Sequence, residues 1–359
     1  MLDFTSVLYL GMHHGHAALR PWWQITTGRP AALGSTTRVA GLETALAALM
    51  GHESAALGSS TLHLFWDLFA ELVREPAAIH VDAGTYPIAR WGVERVAARG
   101  VTVTVFPMHD TAAVRARLAR EPGRYRPIVV CDGLCPLTGR LAPLRDYAEA
   151  CAAVDGVLVV DDTQGLGLLG RRPNRAVPYG EDGAGTPAWW GVDGAEIIVV
   201  NSLAKAFGVP LAVIAGRAAQ IERFKTNSLT RIHCSPPSLA GISAAEHALA
   251  LNAAEGAGRR RRLLSLIELF RRSLRHLGLA AHGGRLPFQT LKCPVGQGAI
   301  QLHDMLLHRG IRAVLHRAMG RTALVTFVLN CLHSAQDIAA VMDALARARG
   351  RIPELRQAS

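Results

Sequence analysis

Lys205 is one of only three lysines among 39 basic residues, the others being Lys225 and Lys292. The excess of arginine fits codon usage, and a lysine retained against it is a candidate for a role arginine cannot fill. Arginine stays protonated, whereas lysine can shift its pKa and attack a carbonyl to form an imine. Lys205 stands in Asn201-Ser202-Leu203-Ala204-Lys205-Ala206-Phe207-Gly208, directly after the apolar run Ile197-Ile198-Val199-Val200. A lysine just past a buried strand, followed by small residues, suits a Schiff-base site. The alternative is a surface lysine on a loop.

A second constellation is Val159-Val160-Asp161-Asp162-Thr163-Gln164, followed by Gly165-Leu166-Gly167-Leu168-Leu169-Gly170. Residues 165–170 match GxGxxG, but a dinucleotide fingerprint must open a helix just after its strand. Here four polar residues intervene and Arg171-Arg172-Pro173-Asn174 follows, so that reading is set aside. The other reading centres on Asp161, a carboxylate leaving the end of a buried strand. Such a group can keep a pyridine nitrogen protonated and make the ring an electron sink. Gln164 lies within reach of the same ring's phenolic oxygen.

The elements that must position these groups alternate. Strands are expected near 79–81, 101–105, 128–130, 157–160, 197–200 and 211–214. Helices are expected near 42–50, 62–74, 88–98, 112–119 and 144–154. That alternation predicts an α/β domain with a mostly parallel sheet. The pattern changes after about residue 245: a long helix from about 244 to 276, strands near 289–292 and 323–329, and a helix at 335–346. The expected organisation is a large cofactor-binding domain over 35–245. Residues 1–34 and 246–359 form a smaller α+β domain.

Half of the 359 residues are hydrophobic and 19% are charged, which describes a globular chain. No apolar run is long enough to span a bilayer, and the N-terminus lacks a signal-peptide layout. The six cysteines form no CxxC pair and read as reduced thiols, so a cytoplasmic protein is expected. His13, His14 and His16 read as a polar loop and not as a metal site. The net charge of +11 raises nucleic-acid binding as an option. The arginines are scattered, however, and the run Arg259–Arg262 reads as the solvated face of the long helix. No nucleic-acid partner is expected; an anionic thioester carrier would also suit a basic surface.

The order of these motifs resembles the fold-type I pyridoxal-phosphate enzymes, and most closely the α-oxoamine synthase family. Asp3-Phe4-Thr5-Ser6 with Tyr9-Leu10-Gly11 resembles that family's opening. Gly34-Ser35-Thr36-Thr37-Arg38-Val39-Ala40-Gly41 resembles its GS-rich loop. Asp132-Gly133 with Leu141-Ala142-Pro143-Leu144 resembles the segment before the aspartate strand. Asp161–Gly165 and Ser202–Lys205 resemble its cofactor motifs, and Pro236-Pro237 the pair after the lysine. The resemblance implies that Lys205 forms the internal aldimine, Asp161 pairs with the pyridine nitrogen and Ser202 donates to the phosphate. It implies that the turn Ser59-Ser60-Thr61-Leu62 binds the phosphate at a helix N-terminus, where an ordinary serine N-cap is the alternative. Tyr86 takes the place of a ring-stacking histidine, and His233 lies in the stretch that meets the phosphate of a second subunit. A homodimer is therefore implied.

Three departures bear on the reaction. Tyr86 and Gln164 replace family histidines, and Thr326 falls where the family grips a substrate carboxylate with arginine, with Arg321 or Arg312 as stand-ins. The leading expectation is a transferase joining an amino-acid-derived carbanion to an acyl-CoA, an acyl-carrier thioester or another electrophile. Its small-molecule partner is an amino acid or amine, and its setting is specialised biosynthesis. The alternatives are an aminotransferase on the same scaffold, or a binding protein that keeps the fold without the chemistry.

Overall fold

The computed structural model describes residues 1–120, 123, 125–192, 196–316 and 322–355. The chain divides into two compact units. One comprises Met12–Cys135 with Leu141–Gly256. The other comprises Met1–Gly11, Pro136–Arg140 and Ala257–Ser359.

Strand β1 (Leu2–Phe4) belongs to the smaller unit. The larger unit carries β2 (Ser54–Gly58), β3 (Ala77–Asp82), β4 (Thr102–Phe106) and β5 (Arg126–Asp132). After the two-residue strands β6 (Leu134–Cys135) and β7 (Arg140–Leu141) come β8 (Val157–Asp161), β9 (Ile197–Ser202) and β10 (Ala212–Gly216). Helices α1 (Thr37–Met50), α2 (Thr61–Leu72), α3 (Pro87–Ala97), α4 (Thr111–Leu118), α5 (Leu144–Ala152) and α6 (Thr186–Trp190) alternate with them, and α7 (Ala218–Asn227) and α8 (Leu229–His233) follow. The seven-stranded sheet runs in the order β2-β10-β9-β8-β5-β3-β4. Only β10 is antiparallel to its neighbours. Central strands such as Val157-Leu158-Val159-Val160 are buried at every residue, as a sheet covered on both faces requires. Residues 165–170 form turns and open no helix, in agreement with setting aside a dinucleotide fingerprint.

The expected strands and helices are found within a few residues. Strand β2 was not anticipated, because Ser-Ala-Ala-Leu-Gly has low strand propensity; it forms by pairing along its whole length with β10. The division of the chain also differs from the sequence-based one. Residues 12–34 pack in the larger unit, where the Ile25 carbonyl accepts from the Leu239 amide and the Arg20 carbonyl from the Ser243 hydroxyl.

Helix α9 (Leu239–His276) begins in the larger unit and ends in the smaller. The smaller unit adds β11 (Ala281–His282), β12 (Phe288–Leu291), α10 (Gln297–His308), β13 (Ile311–His316), β14 (Leu324–Val328) and α11 (Ala335–Arg349). Its sheet order is β1-β13-β14-β12-β11. The arginine run on α9 is only partly a solvated face: Arg261 and Arg262 are exposed, yet the run also holds neighbouring loops. Arg259 donates to the carbonyls of Leu10 and Gly11, Arg262 donates to those of Cys331 and His333, and Arg260 is buried. Their forked guanidinium donors satisfy loop carbonyls that no strand reaches. Thr326 is also buried, with its hydroxyl 2.8 Å from that of Thr290 on the paired strand. Arg312 is exposed, and Arg321 lies outside the described residues.

The core of the larger unit gathers Leu64, Phe65, Leu68 and Phe69 of α2 against Ile79, Val130, Val159, Ile198 and Ile214. This apolar stripe aims the N-terminus of α2. Phe65→Ala is expected to cost about 3–5 kcal/mol, the range for emptying a buried aromatic site, as read by chemical denaturation.

Candidate active site

The residues singled out by type converge at one end of the large sheet, outside the carboxyl ends of its parallel strands, where open α/β sheets bind ligands. Strand register sets the spacing. Gly58, Ala212 and Ser202 lie side by side on β2, β10 and β9, so roughly 10 Å separates the end of β2 from Ser202. Asp161 is opposite Val200 on β9 and Asp132 on β5. The phosphate-type turn, Ser202, Asp161 and Asp132 thus follow one another across the sheet.

Lys205 lies in the loop between β9 and β10. The Leu203 amide bonds the Leu211 carbonyl, the Val209 amide bonds the Leu203 carbonyl, and the Gly208 amide closes a turn onto Lys205. Gly208 has φ of +67°, a conformation that favours glycine. Thr163 links this loop to Asp161: its amide donates to Asp161 Oδ1 at 3.1 Å, and its Oγ1 accepts from the Ser202 amide at 3.0 Å. The Ser202 hydroxyl accepts from the Ala204 amide.

Burial pushes the Lys205 amine below the usual ammonium range, and the Asp161 charge opposes the shift. Burial likewise pushes the Asp161 carboxyl up, against the hydrogen bonds from Thr163 and the charge of Lys205. Asp132 is held well above the usual carboxylate range by burial and by the neighbouring Asp161. Two carboxyls side by side in a dry site do not both ionise readily, so Asp132 is the better keeper of a proton and Asp161 the better carboxylate.

Asp132 has a second task, which its type and spacing did not reveal. Its Oδ1 accepts the Tyr86 amide at 3.0 Å, and Tyr86 is the N-cap of α3. Pro87 at the first helical position forces Tyr86 into extended backbone. The preceding loop is fixed by Asp82, which accepts the Gly84 and His109 amides and the Tyr147 hydroxyl. Arg90 grips the carbonyls of Thr85 and Ala83. The backbone at Tyr86 is therefore rigid while its ring stays 54% exposed, as a stacking face must be.

Ser60 caps α2: its Oγ accepts the His63 amide and lies 2.9 Å from His63 Nδ1. The amides of Thr61 and Leu62 have no intrahelical acceptor, so an anion can take them. The Ser59 hydroxyl donates to the Ser235 carbonyl at 2.8 Å, so the stretch before Pro236-Pro237 lies beside this turn in the same chain. Buried Asp67 holds that arrangement by accepting the Thr230 amide at 2.9 Å and the hydroxyls of Thr230 and Ser228. His233 is exposed at the end of α8, and Gln164 is half-buried in the turn after Asp161. Asp162, next to Asp161, faces inward instead. It accepts the Thr186 amide, burial raises it to about 7, and Gly133, Gly165 and Gly185 crowd its carboxyl where any Cβ would overlap.

An amine, a carboxylate, a hydroxyl, an exposed ring and a helix N-terminus fit pyridoxal phosphate group for group. Comparison with known proteins agrees. The family model Aminotransferase class I and II matches residues 13–345. The chain is 30% identical over 318 residues to an 8-amino-7-oxononanoate synthase of Halorhodospira halophila, covering 87% of this chain and 75% of that one. It is 29% identical over 356 residues to that of Nitrosococcus oceani, covering 96% and 90%. Among solved structures, serine palmitoyltransferase of Sphingomonas wittichii superposes with a TM-score of 0.83 at 18% identity, covering 98% and 88%. An 8-amino-7-oxononanoate synthase from Francisella tularensis gives 0.73 at 17%, covering 98% of both chains.

Two outcomes are expected. A lowered pKa leaves more neutral amine at a given pH, so Lys205 of the coenzyme-free protein should react with an amine reagent at pH 8 several-fold faster than Lys225, whose Nζ is 2.7 Å from Glu43; peptide mapping reads the ratio. Thr163→Val removes the acceptor of the Ser202 amide and should weaken coenzyme binding about tenfold or more, measured by fluorescence titration.

Proposed function

We propose a reaction for this chain, which belongs to the aminotransferase class I and II family and is a pyridoxal-phosphate transferase of the α-oxoamine synthase type. On that premise we propose that it joins the amine-bearing carbon of an amino acid to the acyl group of a thioester. The coenzyme chemistry is carried by Lys205, in the turn after β9, and Asp161, at the end of β8, each drawn towards neutrality by burial and held by the other's charge, and similarity to 8-amino-7-oxononanoate synthases supports the thioester acceptor.

Bound there, the coenzyme supplies an electron sink for a carbanion on the carbon attached to the amine. The chain's own residues do the rest. Lys205 holds the aldehyde end and moves the proton at that carbon through Nζ. Asp161, whose anionic form the Thr163 hydrogen bonds and the Lys205 charge favour, would pair with the ring nitrogen. Ser202, with the amides of Thr61 and Leu62, receives the phosphate, and Tyr86 covers the ring face. The substrate carbon loses a proton or carbon dioxide, attacks the thioester carbonyl, and the C–S bond breaks to release a thiolate. Tyr86, Gln164 and Thr326 depart from the family pattern, and with the Thr326 hydroxyl engaged by Thr290, they favour a specialised amine donor.

We also infer that the working form contains a second copy of the chain. Trp23, Leu33 and Ile25 are exposed by 94%, 77% and 58% on one N-terminal segment, large apolar side chains that a second copy would cover.

Wild-type protein given pyridoxal phosphate should turn yellow, and Lys205→Ala should lose that visible band. Amino-acid-dependent release of free thiol from an acyl-CoA supports the reaction. Accumulation of the pyridoxamine form with release of a keto acid, and no thiol, would overturn it in favour of transamination. Sedimentation should give twice the 38.4 kDa chain mass, with Trp23→Ser/Leu33→Asp shifting the protein towards monomer.

A further inference from the structure

His14 and His247 play no part in the chemistry above, yet they meet next to it. His14 Nε2 lies 2.7 Å from the Phe207 carbonyl, and its Nδ1 lies 3.0 Å from Nδ1 of His247. The rings stand edge to face, with centroids 5.3 Å apart. Phe207 is the third residue of the turn that the Gly208 amide closes onto Lys205. The carbonyl accepts only, so His14 must carry its proton on Nε2 and present a lone pair at Nδ1. His247 Nδ1 must then carry the proton that lies between the rings. The tautomers of both histidines follow from a single backbone oxygen.

We propose that His14, aligned by His247, is a positioning residue for Lys205, holding the amine-bearing turn through the Phe207 carbonyl. Other contacts leave that turn one loose side. Thr163 and the β10 pairing fix its start and end, and Gly167 lets Ala206 pack closely, since a Cβ there would crowd it. The Phe207 carbonyl is met by His14 of the N-terminal segment. Burial holds His14 below the ordinary histidine range, assisted by the nearby His247 and His13 and opposed by the Phe207 carbonyl. It therefore stays neutral at physiological pH, as the hydrogen-bond chain demands. On α9, Glu246 is engaged with Arg38 and supplies no counter-charge. On the turn itself the nearest charge is Lys205. Acidification would protonate His14 Nδ1, set two N–H groups against each other and release the pair.

The inference rests on Lys205 being the residue that holds the coenzyme, and Lys205→Ala serves as the control. If that variant keeps the visible band, the functional reading fails and takes this inference with it; a band lost there but unmoved in the histidine variants fails this inference alone. The test compares His14→Leu, His247→Leu and His14→Gln as holoproteins, recording the pH midpoint of the visible band and the coenzyme dissociation constant. The melting temperature of the coenzyme-free form is recorded alongside. Both leucine variants should move the midpoint and weaken coenzyme binding about tenfold, and below pH 6 the wild type should converge on them. His14→Gln, which can donate to Phe207 and accept from His247, should restore binding to within about twofold. Unchanged midpoint and affinity in a folded leucine variant, with only the melting temperature lowered, would overturn the proposal. So would failure of a folded His14→Gln to restore them. If His14→Leu does not fold, His247→Leu and His14→Gln decide.

Discussion

An amine and a carboxylate of opposite charge, set on neighbouring strand ends and partly withdrawn from water, govern this molecule's active end. Burial alone would neutralise both, which suits an amine that must attack an aldehyde but would leave a poor ring partner. Their mutual attraction opposes that loss, and Thr163 adds hydrogen bonds to Asp161 in the same sense. The balance needs fixed separation, which side-chain rotamers on loops would not hold. Here the β8–β9 register holds the aspartate, and a turn locked to both β9 and β10 holds the lysine.

The rest of the larger unit is arranged around that demand. A parallel sheet buried on both faces needs helices between its strands, and each strand-to-helix passage delivers residues to the same end. The end of β2 delivers the capped start of α2, and the end of β3 delivers Tyr86. The ends of β5 and β8 deliver two adjacent carboxyls. Asp132 serves both passages at once, pinning the Tyr86 amide while disfavouring ionisation beside Asp161. Polar residues that look like surface decoration, such as Arg90 and Asp82, spend their hydrogen bonds on the loop that keeps the exposed Tyr86 ring in one place.

Departures from the family pattern fall on Tyr86, Gln164 and Thr326, whereas Lys205, Asp161 and the capped start of α2 match it. A fold of this kind separates the two sets of demands. Coenzyme chemistry depends on strand ends, which tolerate little change. Selection of the amine donor depends on side chains that can be exchanged without disturbing the sheet. Thr326 is buried, and its hydroxyl closes onto Thr290 inside the smaller unit, where an arginine's charge would be costly to bury unpaired.

Lys205, Asp161 and the alternation of apolar runs with helical stretches were legible from residue order alone, because a scarce lysine, a strand-end carboxylate and periodicity are local signals. The kinship to pyridoxal-phosphate enzymes followed from their order along the chain. What residue order could not decide was set by contacts between distant segments. Strand β2 exists only through its pairing with β10. Arg259 and Arg262 of the run on α9 reach the carbonyls of Leu10, Gly11, Cys331 and His333, a fact invisible to helical spacing. Asp132, Thr163 and the His14–His247 pair acquire their roles from neighbours up to 233 positions away in the chain. Local propensity and composition act over a few residues. The electrostatics of a buried site depend on which dipoles and charges packing brings within a few ångströms, and only the folded chain determines those.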